Sequence, residues 1–154
     1  METYDRSVSR KRLTQSDYER LLAFRTALRR FLHWSGKQAE LAGLTPAQHQ
    51  LLLAIRGHPG SESPSVGDLA ESLMLRHHSV VGLLDRAESC GLVVRRRDDP
   101  DGRVVRVALT AGGSDRLATL SAVHVTEITR LAAMLAEFDV PPPRSPDRQC
   151  SGER

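Results

Sequence analysis

Arg86, Arg95, Arg96, Arg97, Arg103 and Arg106 crowd six guanidinium groups into one short stretch of a 154-residue chain. Each guanidinium is permanently charged and presents a planar fork of donors matched to phosphate oxygens and to guanine edges. Arg76, His77, His78 and Ser79 stand just upstream and add further donors. The chemistry these types suit is the gripping of an anionic polymer, not the making of bonds. The formal net charge is only +3, so placement rather than total charge points to nucleic acid. The other reactive side chains do not assemble into sites. His33, His49, His58, His77, His78 and His124, with Cys90 and Cys150, show no Cys-x-x-Cys or His-Glu-x-x-His spacing, and adjacent His77 and His78 leave a helix in different directions. There is no phosphate-cradling glycine loop, nucleophile elbow or carboxylate pair on a recognisable scaffold. The expectation is therefore no enzyme, no cofactor and no metal. Cys90 is expected to be a buried, inert thiol; the opposing reading, a redox switch, lacks a resolving partner because Cys150 lies in the far tail.

Something must position these donors. Ser65 reads as a helix N-cap, with Asp68 able to reach back to it as in a capping box, and Val66, Leu69, Ala70 and Leu73 follow at helical spacing. A second helix runs from about His77, buries Val80, Leu83, Leu84 and Ala87, and stops at Gly91, a residue suited to the left-handed C′ position. His77, His78, Val81, Gly82, Asp85 and Arg86 then face outward or sideways. Next the period changes. Leu92–Val94 lead into Arg95–Arg97, a turn spans Asp98–Gly102, and Val105, Val107 and Leu109 alternate with Val104, Arg106 and Ala108. Helix, turn, helix and basic hairpin make the winged helix-turn-helix, whose second helix enters the DNA major groove with its N-terminal end on the bases. His77 and His78 occupy that end, and Arg96 and Arg97 belong to the basic wing.

The flanks are helical. From about Asp17 a long amphipathic helix carries Leu21, Phe24, Leu28, Phe31 or Leu32, and Ser35 to a stop at Gly43. Thr45, Pro46 and Gln48 begin another, with Leu51, Leu52 and Ile55 as its core stripe. The loop from Gly57 to Pro64 has room for a one- or two-residue strand. Thr110 caps a last helical stretch through Leu117, Leu120, Val123, Ile128, Leu131, Leu135 and Phe138, either one bent helix or two broken near His124. Pro141–Pro143 end any helix, leaving 141–154 as a tail expected to be disordered, like the polar arm 1–16. The arm's Arg6, Arg10, Lys11 and Arg12 are either solvated or in reach of DNA. Aromatics are 4% of the chain, so the core must be Leu, Val and Ala. The fold class is mainly α with a small β-hairpin: a DNA-binding lobe, 45–110, within one domain, 17–140. The stripes on 17–43 and 111–138 exceed what one small lobe can cover, a physical motive for a homodimer. No apolar run approaches the ~18 residues of a membrane span and no signal peptide is evident, so a cytoplasmic location is expected.

Leu69-Ala70, Asp85-Arg86, Gly91-Leu92-Val93, the arginine-rich strand, Asp101-x-Arg103 and Leu109-Thr110-x-x-Gly113 recur in this order and spacing in the MarR family of dimeric bacterial winged-helix repressors and activators. The chain resembles that family over residues 18–138. The resemblance implies a DNA contact for Arg86, a phosphate contact for Ser79, and, for Asp101 and Arg103, the pair that shapes the wing and puts an arginine at the minor groove. It also implies a homodimer on a pseudo-palindromic operator in double-stranded DNA, often released by a small aromatic or phenolic effector. Phe24, Phe31, Trp34 and His49 lie on segments able to line an effector crevice, and residues of each type are more often core than ligand contact. This sequence departs from the family pattern in four places. Arg76, which cannot cap, replaces a capping Ser and is free to seek phosphate. Val81 and Gly82 replace polar side chains, which shifts weight from direct readout to DNA shape. Gly102 replaces an arginine at the wing tip, and Pro141 ends the last helix early. The reading that results is a DNA-binding repressor modulated by a small molecule. The alternatives are a redox- or metal-responsive regulator of the same fold, or a winged helix for protein–protein assembly, which would need no arginine-studded hairpin.

Overall fold

A computed structural model of the protein describes residues 13–97 and 103–136, with the side chains of 134 and 135 left aside. Five helices and two strands follow in order: α1 Gln15–Leu41, α2 Pro46–Arg56, α3 Val66–Ser72, α4 His77–Ser89, β1 Val93–Arg97, β2 Val105–Leu109 and α5 Ala111–Ala136.

Local chemistry sets most boundaries. Thr14, Thr45 and Ser65 each accept from the N3 backbone N–H, while Asp17, Gln48 and Asp68 each accept from the cap's own N–H, giving three reciprocal capping boxes. The first moves the start of α1 two residues ahead of the expected Asp17, because Asp17 is N3 and Thr14 the cap. Gly43 and Gly91 take φ of 73° and 68° just beyond α1 and α4, where a side chain would be strained. Met74 occupies the same kind of position after α3 with φ 52°. The segment from Ala111 to Ala136 is one helix without a break at His124, whose Nδ1 bonds back to the Leu120 carbonyl at 2.8 Å and so leaves the helix ladder intact.

β1 and β2 pair antiparallel, with Val93 opposite Leu109, Arg95 opposite Val107, Arg96 opposite Arg106 and Arg97 opposite Val105. Ser65 adds a single bridge to Arg106, and the Val107 N–H donates to the Pro64 carbonyl at 2.9 Å. The loop from Gly57 to Pro64 thus holds no strand of its own, and the bridge falls just after it. α2 lies at the centre, packed against α1, α3, α4, α5 and β2. Leu51 and Leu52 are fully buried there, with Leu69, Val80, Leu84, Val93, Val107 and Leu117 around them. Truncating either leucine to alanine costs about 2–5 kcal/mol at such a site.

α5 is seated by a small lock. The Thr110 hydroxyl donates to the Gly91 carbonyl at 2.7 Å, its backbone N–H to Leu92 O at 3.1 Å, and its Oγ1 accepts from the Gly113 N–H at 3.0 Å. Gly113 lies against the Leu92 carbonyl so closely that a Cβ would stand 2.1 Å from the oxygen. Much of α1 and α5 packs on nothing among the described residues. Leu21, Leu22, Phe24, Leu28 and Leu32 on α1, and Val123, Val125 and Ile128 on α5, are exposed. No described helix is long and apolar enough to cross a membrane.

Candidate nucleic-acid interface

α4 turns Val80, Leu83, Leu84 and Ala87 into the core, and this fixes what faces outward. His77, His78, Val81, Asp85 and Arg86 are exposed, while Ser79 and Gly82 are partly covered. Arg76 is the N-cap and makes no capping hydrogen bond, leaving its side chain exposed at the helix start, where N–H groups and helix dipole also favour an anion. Arg86 passes close over Gly82, where an added Cβ would lie 3.6 Å from its Nη1. A side chain at Gly82 would therefore only touch the arginine four residues on, at ordinary van der Waals distance. Arg86 has no ion pair with Asp85, whose carboxylate is taken elsewhere.

The arginines of the hairpin divide into two kinds. Arg95 Nη2 donates to Asp85 Oδ1 at 2.5 Å and to the Val81 carbonyl at 3.2 Å, and Nη1 lies 3.5 Å from Glu88 Oε2. Its backbone N–H also donates to Glu88 Oε1 at 3.1 Å. Arg106 pairs with Glu62 and donates to the Ser63 carbonyl at 3.0 Å. Both are braces, one joining β1 to α4 and the other joining β2 to the loop before α3. Arg106 also stands opposite Arg96, so Glu62 relieves a like-charge cross-strand pair. Arg96, Arg97 and Arg103 are exposed and have no ion-pair partner among the described residues. Asp98, Asp99, Asp101 and Gly102 lie outside the described residues, and the pairing of Asp101 with Arg103 with them. Sequence spacing singles out the basic wing as a unit; it cannot sort braces from contacts, because the acidic partners are distant in the chain.

Cys90 corrects an expectation. It is exposed, the last residue before the Gly91 turn, with Gln48 Nε2 at 3.7 Å from its sulfur. A helix C-cap projects beyond the core stripe, which ends at Ala87. Among the described residues no group of three or more His, Cys, Asp or Glu is placed to hold a metal ion.

A second site lies on the side of the molecule formed by α1, α2 and α3. It is an open crevice of about 770 Å³, lined in part by Phe31, Ser35, His49, Leu53, Asp68 and Glu71. Behind it sits an aromatic cluster that joins α1, α2 and α5. The His49 and His124 rings are 4.7 Å apart, His124 and Trp34 4.9 Å, and Phe31 and Trp34 6.0 Å. The Leu120 carbonyl can only accept, so His124 Nδ1 carries the proton; in the neutral ring Nε2 accepts from the Ser35 hydroxyl at 2.7 Å. Burial first, and His124 second, hold the His49 pKa below its ordinary value. Of the four residues expected here, Phe31 and His49 line the crevice and Trp34 supports it from behind. Phe24 does not take part: it is 41% exposed on the open face of α1. His124 and Ser35 escape sequence reasoning as members of this cluster.

The arrangement defines a winged helix-turn-helix mounted on two long helices. Residues 42–104 match the sequence profile of the MarR family. It is 37% identical over 83 residues to the transcriptional activatory protein BadR of Rhodopseudomonas palustris, covering 53% of this chain and 47% of BadR. It is 29% identical over 101 residues to the transcriptional repressor MdtR of Bacillus subtilis, covering 66% of this chain and 63% of MdtR. The chain thus spans about half to under two thirds of these relatives. The crystal structure of a Staphylococcus aureus MepR–DNA complex has the same fold, with a TM-score of 0.60 and 20% identity over 82% of this chain and 88% of that one.

Proposed function

We propose that the protein is a homodimeric, sequence-specific, double-stranded-DNA-binding transcriptional regulator of the cytoplasm, acting as a repressor whose DNA binding is modulated by a small molecule. The observation that carries this reading is the division of labour among the arginines. Arg95 and Arg106 are spent on holding the wing, while Arg86 on α4 and Arg96, Arg97 and Arg103 on the wing are exposed without acidic partners among the described residues. A module for protein assembly has no use for such a set. On this reading Arg76, His77, His78, Ser79 and Gly82 belong to the DNA-facing side of the reading helix, and the family resemblance adds Asp101 to the DNA-binding set. The MepR–DNA complex supports DNA as the partner of this fold.

Dimerisation is supported by the open apolar faces of α1 and α5, and it sets two α4 helices about 34–36 Å apart on a pseudo-palindromic site. The crevice beside Phe31 and His49 is the effector site on this reading, since it touches both the terminal helix and the helix-turn-helix. MdtR is described as a repressor and BadR as an activator, and repression is the sign adopted here. The test is to select fragments from genomic DNA with the full chain, then titrate selected and random duplexes. Tight, saturable binding to a symmetric site is expected. Equal affinity for both duplexes would contradict sequence-specific regulation.

A further inference from the structure

The crevice between α1, α2 and α3 has a charge pattern that narrows its ligand, and the choice of ligand rests on reading it as the effector site. Its lining carries two carboxylates, with His58 as the one further titratable group besides His49. Asp68 and Glu71 lie one turn apart on α3, and neither lysine nor arginine lines the crevice. The Ser65 backbone N–H, and then its hydroxyl, hold the Asp68 carboxyl below its usual range, so it is ionised at neutral pH. The second observation is His49. It is 5% exposed and its ring makes no hydrogen bond among the described residues, yet no fully enclosed side-chain nitrogen lacks a partner. Its ring nitrogens are therefore unpaired without being sealed, and the residue lines the crevice. With its pKa lowered by burial and by His124, it enters as a neutral hydrogen-bonding ring.

We propose that the crevice binds a cationic aromatic amine, its ring against Phe31, Leu53 and Leu73, a polar atom on His49, and its ammonium toward Asp68 and Glu71. A carboxylate or phenolate of the same shape would meet two like charges, offset only in part by His58 and Arg106 acting on Asp68. At the separations of a crevice wall in water-rich surroundings, two such charges make at least about a tenfold difference between opposite ligands.

The test is calorimetric titration of the full chain with a matched pair, naphthylmethylammonium and naphthoate. The ammonium should bind at least about tenfold more tightly. Glu71→Gln, an exposed change, should narrow the gap several-fold, and His49→Leu should weaken the ammonium probe. Equal or tighter binding of naphthoate, binding of neither probe, or a gap untouched by Glu71→Gln overturns the proposal. Release of bound DNA is measured beside it and separates the two readings. Ammonium binding without DNA release keeps the charge preference and removes the effector role. DNA release by naphthoate alone keeps the effector role and removes the charge preference.

Discussion

The guanidinium of Arg95, on the first strand of the wing, donates to the carboxylate of Asp85 on α4 at 2.5 Å. With Glu88 and the Val81 carbonyl on the same arginine, wing and helix move as one piece. Asp85 is exposed and Arg95 partly so, and the pair contributes about 1 kcal/mol or less to stability. Its value lies in orientation.

Arg95→Ala should therefore weaken binding to the selected DNA while leaving the salt slope unchanged, because every phosphate keeps its partner. Asp85→Ala should do the same despite removing a negative charge near DNA. Isotherms at several salt concentrations check this. A slope reduced by about one in Arg95→Ala would make Arg95 a phosphate ligand instead.

Gly113→Ala should destabilise the fold by about 2–4 kcal/mol, since a new Cβ would lie 2.1 Å from a backbone oxygen that cannot step aside. Gly112→Ala is the control, with its nearest neighbour at 3.9 Å. Urea melts of both variants provide the measurement. Equal stabilities would show that α5 is not locked on Leu92.

Capping boxes are local, so Ser65 with Asp68 and Thr45 with Gln48 are legible in the sequence directly. Gly91 announces its left-handed turn by type, whereas Met74, in a turn of the same hand, carries no such signal. The motif ending in Gly113 is visible as a pattern, but its reason, the Leu92 carbonyl, emerges only once β1 and α5 are packed. The same holds for the Arg95 and Arg106 braces, whose acidic partners sit on other elements. For Cys90 the apolar type suggests burial, while its place one step past α4 decides exposure. His124 reads in the sequence only as a helix break, since its contacts with Ser35 and His49 span about half of the chain.

Acid should loosen the junction of α1, α2 and α5. The His49 pKa is held below 6.5, so the unfolded chain binds a proton there that the folded one refuses. In the window between the folded value and 6.5, stability rises with pH; it is lost as pH falls through that window. His49→Leu should flatten this part of the profile. Melting temperatures across about pH 5 to 8 test it, and identical pH slopes for wild type and variant would refute it.

The central claim is that α4 and the wing hold DNA, and the salt dependence of binding by wild type, Arg86→Ala and Arg103→Ala tests it most directly. Arg86→Ala should cost about 1–3 kcal/mol on the selected site and little on random duplex, as expected for a base contact. Arg103→Ala should weaken both duplexes together and lower the salt slope by about one for each phosphate that the arginine neutralises. If Arg103→Ala leaves affinity and slope unchanged on both duplexes, the wing does not touch DNA and the central claim is contradicted.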